Sequence, residues 1–165
     1  MNKPRNILPV DKPQAGSEWA WNCLPFRELA LEELYAILRL RSEVFVVEQA
    51  CIFLDMDDKD PSCHHIMGRE NGILGAYARI LPPGLAYPEP SIGRVVSSPQ
   101  VRRTGAGRLL MHHAINHTKR LYGASDIRIG AQLYLKDFYG SLGFAEQGDV
   151  YLEDGIRHVE MVLKA

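Results

Sequence analysis

The spacing of apolar and polar residues changes repeatedly along this chain, and each change marks an element. Trp19, Trp21 and Cys23 alternate with Ala20 and Asn22, a period of two that predicts a short first strand. Between Phe26 and Glu48 the period lengthens. Leu31, Leu34, Tyr35 and Leu38 stand at i, i+3, i+4 and i+7, with Glu32, Glu33 and Arg39 off the stripe, which predicts an amphipathic helix. The following stretch, Arg41–Gln49, reads either as more helix or as an extended segment. Cys51–His65 gathers Asp55, Asp57, Asp58, Asp60 and Pro61 and reads as a solvated acidic loop, one suited to attract a cationic amine.

His64–Leu81 predicts two antiparallel strands around Glu70-Asn71-Gly72, since Asn-Gly between apolar runs is a strong hairpin signal. Alternation puts Leu74, Ala76, Ala78 and Ile80 on one face of the second strand, and Ile73, Gly75, Tyr77 and Arg79 on the other. A Pro-rich loop leads to a strand at Ser91–Ser97. A helix is expected from about Gly105 to Tyr122, stopped by Gly123. Asp126–Ala131 predicts a strand, Gln132–Leu142 a helix ended by Gly143, and Ala145–Glu153 with Ile156–Leu163 a last hairpin around Asp154-Gly155. This order implies an α/β or α+β layer fold, a mixed sheet flanked by helices. Its strand–helix–strand unit, Ser91 to Ala131, should be parallel and right-handed.

Bulk properties narrow the function. The length of 165 residues suits one domain with a sizeable core. That domain is expected over residues 19–165, after a flexible leader, residues 1–18, that carries Pro4, Pro9, Pro13 and Gly16 and no periodicity. A net charge of −1 argues against a broad nucleic-acid surface, so any anion site must be local. No apolar run approaches a membrane span or a signal-peptide core. Cys23, Cys51 and Cys63 are odd in number and lack framework spacing, which points to reduced thiols in a cytoplasmic chain.

The chemistry concentrates in Ser91–Met111. A β-branched strand ends at Ser97-Ser98-Pro99. A basic turn follows, Arg102-Arg103-Thr104-Gly105-Ala106-Gly107, and then a helix from Arg108. The first turn of a helix has N–H groups without intrahelical partners, and its dipole favours an anion there. Gly105 and Gly107 let backbone approach a ligand, and Arg102, Arg103 and Arg108 offer charge-assisted hydrogen bonds to phosphate oxygens. A Walker A loop fits less well because Arg108-Leu109 follows Gly107. The dinucleotide fingerprint fits less well because Leu110 stands where its third Gly belongs. A calcium loop from Asp55 fails at Lys59, Asp60 and Ile66. Zinc-type spacing is absent around Cys51, Cys63, His64, His65, His113 and His117.

Arg-x-x-Gly-x-Gly after a strand resembles the acyl-CoA pyrophosphate loop of the GNAT superfamily of N-acetyltransferases. Downstream, Phe138-Tyr139-Gly140-Ser141-Leu142-Gly143-Phe144 is similar to the second signature of that superfamily, Phe-Tyr-x-x-x-Gly-Phe. Two signatures in order, one helix and one strand apart, are more specific than either alone. Arg41–Gln49, Ala76–Ile80, Ile92–Val95, Gly130–Gln132 and Tyr151–Ile156 further resemble the ElaA-type acyltransferases of bacteria.

The resemblance implies a GNAT-like mixed sheet whose parallel strands splay at an acyl-CoA crevice, with acetyl-CoA as co-substrate and no metal. It implies pantetheine amides paired with backbone of Val95 and Ser97. The pyrophosphate would rest on the N–H groups of Arg103, Thr104, Gly105, Ala106, Gly107 and Arg108, beside Arg102. The N–H of Val96 would act as oxyanion donor to the thioester carbonyl. Tyr139 is the implied acid for the departing thiolate, its alternative use being to pack against the carrier. Gln132 stands near the carrier where relatives commonly have Asn. Glu48, Glu43 and His65 are candidates to take the proton of the attacking amine, with Glu48 carried forward as the catalytic one. The implied partners are acetyl-CoA or CoA and a small-molecule or peptide amine. Oligomeric state is left open, a homodimer included. Two other readings keep the same loop: an acyl-CoA-binding module without turnover, which needs no Tyr139, and a nucleotide-binding domain.

Overall fold

The computed structural model describes residues 18–165, so the expected leader lies outside the described residues except for Glu18. In chain order come β1 (Trp19–Pro25), α1 (Leu31–Arg41), β2 (His64–Glu70), β3 (Ile73–Leu81), β4 (Ser91–Ser97), α2 (Ala106–Tyr122), β5 (Ile127–Gln132), α3 (Lys136–Gly140), β6 (Ala145–Glu153) and β7 (Ile156–Leu163). The strands form one mixed sheet in the order β1-β2-β3-β4-β5-β7-β6, in which only β4 and β5 are parallel neighbours.

Both hairpin turns follow from their Asx-Gly pairs. Asn71 and Gly72 have φ of 51° and 82°, and Asp154 and Gly155 have 49° and 79°, the left-handed pair a type I′ turn requires. Gly123, with φ of 75°, ends α2, and its N–H donates to the Lys119 carbonyl at 2.9 Å.

Each face of the sheet has its own core. On one side α2 lays Leu110, Met111 and Ala114 against Ile66, Ala76, Ala78, Ile80, Ile129 and Met161. On the other, α1 and the turn after it lay Ile37, Leu40 and Val44 against Met67, Tyr77 and Val96. The α1 side is therefore covered over β2–β4. Over β5–β7 it is open.

Several expectations shift by physical causes. The buried stripe of α1 is Ile37, Leu40 and Arg41, continued by Val44 in the turn after it, whereas Leu31 and Tyr35 are exposed. The expected stripe was displaced because Arg41 fills a core position, and a hydrophobic count passes over an arginine. The stretch Phe26–Glu48 is three pieces, a 3-10 turn at Phe26–Glu28, α1, and a π-helical turn at Ser42–Glu48, so the segment after Arg41, open between helix and extended chain, is helical. Leu74 joins the α1-side core instead of the Ala76 face. Gly68 pairs with Ala76 but Arg69 with Leu74, so Gly75 is a surplus residue and the faces exchange across it. The helix expected over Gln132–Leu142 gives Gln132 to β5, a 3-10 turn to Leu133–Leu135 and only five residues to α3. Among the described residues no helix is long and apolar enough to cross a membrane.

Candidate active site

The parallel pair β4–β5 is joined at one register position, Ser91 opposite Arg128, and beyond it the strands diverge. Strand β4 also carries a bulge. Val96 pairs with Tyr77 and Gly93 with Arg79, so Arg94 and Val95 together face Ala78 on β3. Arg94 accommodates the extra residue with φ of 50°. A wedge-shaped opening between β4 and β5 results, with free backbone along its β4 wall.

Strand alternation settles which amides face that opening. The Ser98 N–H donates to the Gly75 carbonyl at 2.8 Å, toward β3. Two residues back, the Val96 N–H also points toward β3, and the N–H groups of Val95 and Ser97 point into the crevice. The Ser97 carbonyl points the same way and accepts from Arg102 Nε at 3.3 Å. The Val96 N–H, expected as oxyanion donor, is thus turned toward the β3 ladder, and the amide that faces the crevice beside it is that of Val95.

The basic turn closes one end of the crevice. Arg103 and Gly105 both have positive φ, 65° and 91°, and Gly105 is the N-cap of α2. The Arg108 and Leu109 N–H groups already bond the Gly105 carbonyl, at 3.0 and 3.1 Å. That leaves the N–H groups of Ala106 and Gly107 as the open helix donors. A Cβ on Gly107 would make only ordinary contact, 3.7 Å from Ser97 Oγ, so its bareness serves approach from outside rather than packing. Thr104 spends its hydroxyl on the Val101 carbonyl at 2.7 Å, which leaves only its backbone for a ligand. Arg108 Nη2 donates to Ser141 Oγ at 2.9 Å and lies over the Phe138 ring. Arg102 is held by Glu48 through two hydrogen bonds of 2.6 and 2.9 Å.

Tyr139, on α3, belongs to the α2-side core and is 6% exposed, yet it lines the crevice. Phe138 and Phe144 hold its ring edge-on at 5.1 and 6.1 Å. Burial pushes its phenol pKa up, which keeps the hydroxyl protonated well beyond neutral pH.

The crevice continues into a cavity of about 910 Å3 that reaches across the open α1-side face of β5–β7. Its roof is the π-helical turn, whose insertion bends the chain over the sheet. Gln49, just past that turn, exchanges amide hydrogen bonds with Gln132 at 3.3 and 3.5 Å, pinning roof to floor. Gly130 forms part of the floor. A Cβ there would lie 2.9 Å from the Tyr151 hydroxyl and 3.2 Å from that of Tyr87. His158, from β7, lines the same cavity.

The acidic loop is not solvated as expected. Asp55 and Asp60 are 7% exposed and knit the loop to the sheet. Arg41, fully buried, donates to Asp55 at 2.8 Å and to Asp60 at 2.9 and 3.0 Å. Arg79 donates to Asp57 at 2.6 and 2.8 Å and to Asp60 at 2.9 Å. Arg94, on the bulge, donates to Asp55 at 2.8 Å. Burial alone would raise the Asp57 and Asp60 carboxyls, but the hydrogen bonds from Arg79, and for Asp60 also from Arg41, outweigh it and hold both below the usual range. Asp55, Asp57 and Asp60 each have an arginine, so these three form a structural clamp, and only Asp58 of the expected acidic run is left exposed.

The other proton acceptors expected from the sequence are placed elsewhere or occupied. His65 is fully buried, with Nδ1 2.8 Å from the Tyr77 hydroxyl and Nε2 3.1 Å from the Asp60 carbonyl. Glu43 is exposed and does not line the cavity. Glu48 does line it, but its carboxylate is committed to Arg102. Sequence reasoning missed Gly130, Tyr87, Tyr151 and His158 as one group, because only strand pairing brings them together. It also missed the clamp, for which the run of aspartates was the available signal.

A splayed parallel pair, a bulge aiming an amide inward and a bare helix start at one end define an acyl-CoA-dependent transferase fold. The family model described as an acetyltransferase (GNAT) domain matches residues 44–165. Escherichia coli ElaA is 40% identical over 143 residues, which covers 86% of this chain and 94% of that protein. A Synechocystis protein of the UPF0039 group is 42% identical over 147 residues, or 88% of this chain and 94% of that protein. Among solved structures, an acyl-CoA N-acyltransferase from Pseudomonas aeruginosa superposes with a TM-score of 0.84 at 41% identity, covering 88% of this chain and 99% of its own. The crystal structure of Escherichia coli ElaA also gives 0.84, at 38% identity, over 89% of this chain and 100% of its own. The chain belongs to the GNAT acetyltransferase family, among its ElaA and UPF0039 members.

Proposed function

We propose that this protein moves an acetyl group from acetyl-CoA to an amine by direct attack. The observation that carries the reading is the crevice wall: Val95 and Ser97 present backbone inward on a strand that its parallel neighbour has left. The pantetheine amides fit that wall as an added strand would. The diphosphate fits the open N–H groups of Ala106 and Gly107, with Arg103 and Arg108 beside them. The Val95 N–H then lies against the thioester carbonyl.

The amine lone pair attacks the carbonyl carbon, and charge collects on the carbonyl oxygen. A fixed N–H at Val95 stabilises that oxyanion, a contribution of about 3 kcal/mol where one such donor has been removed in another enzyme. The attacking nitrogen gives up its extra proton to water, and collapse breaks the C–S bond. Tyr139 gives its proton to the departing thiolate and recovers one from solvent. Its raised phenol pKa suits a donor that must stay protonated.

Replacing Tyr139 by Phe tests the reading. Thiol release from acetyl-CoA should fall about 100-fold, the usual weight of general acid catalysis, while affinity for CoA by calorimetry changes little. Unchanged release would remove Tyr139 from the mechanism. A thermal-shift series with acetyl-CoA, CoA and ATP adds a check, since a ligand of the native state raises its melting temperature. Stabilisation by ATP alone would overturn the acyl-CoA assignment.

A further inference from the structure

An alkylammonium must lose a proton before it can attack, and every acceptor expected from the sequence is occupied or misplaced. We propose that His158 takes this proton, an assignment that rests on the acetyl-transfer reading. Three observations carry it.

The first is register. Ser91 lies opposite Arg128. Arg94 and Val95 share one ladder position at the bulge, so Val95 counts level with Ala131 and Val96 with Gln132. Gln132 pairs in turn with His158 on β7, which sets His158 one residue beyond the row of the Val95 amide, across β5 from the crevice.

The second is the face it occupies. Val159 and Met161 belong to the α2-side core with Tyr139, so alternation turns His158 to the opposite, α1-side face, where the cavity lies. Acid and base are thus separated by the sheet. One face delivers the amine and removes its proton, and the other protonates the leaving sulfur. The two groups never compete for one proton.

The third is the tautomer. His158 Nδ1 lies 2.9 Å from the Ile156 carbonyl, which only accepts. The neutral ring therefore carries its proton on Nδ1 and leaves the Nε2 lone pair free. The Tyr151 ring stacks on the imidazole at 5.7 Å, fixing its plane. Glu153 Oε2 is 3.8 Å from Nε2, ion-pair distance when the ring carries a proton there. Glu160, two residues along β7, is held by Arg128. Cys51 and Asp154 line the mouth. The step balances simply: Nε2 takes the ammonium proton, directly or through one water, and passes it to solvent after acetyl transfer.

The test uses two probe amines at pH 7: n-butylamine, which is protonated, and hydroxylamine, which is already neutral. Acetyl-CoA binding by calorimetry and thermal unfolding are followed for each variant. His158→Asn keeps a donor for the Ile156 carbonyl. It should lower butylamine-dependent thiol release about 100-fold and hydroxylamine-dependent release less than about threefold, with acetyl-CoA affinity unchanged. Glu153→Gln, at an exposed site that leaves the fold intact, should lower the butylamine rate about two- to fivefold and spare hydroxylamine. It tests the assignment even if His158→Asn fails to fold. Equal losses with both amines, or none with butylamine, remove His158 from the reaction while acetyl transfer stands. Wild-type protein that binds acetyl-CoA but releases thiol with neither amine overturns acetyl transfer itself.

Discussion

The two ends of the cavity are built on opposite principles. The carrier end is backbone: two inward amides of β4, two open N–H groups at the start of α2, and glycines that stay out of the way. Its sequence signal is local and compact. The acceptor end is side chains from the π-helical turn, the acidic loop and β5–β7, brought together by strand pairing and a clamp of arginines and aspartates. Backbone recognition suits a co-substrate that every member of such a family must hold. Side chains contributed by scattered elements can be changed one at a time, which suits an acceptor that differs between members.

The sharpest way to break this contrast is to cut the clamp. Asp60→Ala takes one of two carboxylates from each of Arg41 and Arg79, which keep Asp55 and Asp57, so the loss should stay below the cost of about 3–5 kcal/mol for leaving a buried charge with no partner. Denaturant unfolding should register that loss. Activity with any amine should fall even where acetyl-CoA still binds. Acid gives a related readout. Folded-state pKa values of Asp57 and Asp60 are lowered, so their contribution is complete above the ordinary carboxylate range, near about pH 4. It is lost as pH falls below that range through the depressed values. Melting temperature against pH should therefore hold level from neutral to about pH 4 and drop below it.

A smaller effect separates the two ends. Gly130→Ala places a methyl 2.9 Å from the Tyr151 hydroxyl and 3.2 Å from that of Tyr87, so both phenols must move. Overpacking of this kind costs about 1–3 kcal/mol. Turnover with n-butylamine should fall roughly tenfold, as 1.4 kcal/mol implies, with acetyl-CoA affinity kept. If affinity for the carrier falls by the same factor, the two ends are not independent. The smallest change concerns an exposed ion pair that spans them. Glu48→Gln releases Arg102 from an exposed pair, each partner about 40% exposed, and such pairs are worth about 0.2–1 kcal/mol. Acetyl-CoA affinity should rise by no more than about fivefold, and less as salt is added.

The same contrast explains what the sequence disclosed. The strand, basic turn and helix at Ser91–Tyr122 were legible because glycine and arginine placement is a local requirement, and the Asn71-Gly72 and Asp154-Gly155 hairpins because each turn demands its own residues. Bulges were not legible. An extra residue at Gly75 or Arg94 leaves no mark on a period-two pattern until the partner strand is known, which is why Leu74 changed face and the Val96 N–H turns toward β3. Arg41 hid the true stripe of α1 because its partners, Asp55 and Asp60, are 14 and 19 residues away. His158 and Gly130 were invisible as neighbours, since only the β5–β7 register brings their strands together.

The surplus residue of β4 ties these threads. Arg94 is not needed by the ladder, so its side chain is free to drop onto the far face and grip Asp55, while Val95 keeps its place beside the α2-side core. The segment whose amide is proposed to meet the thioester is thereby tied to the loop that borders the far end of the cavity.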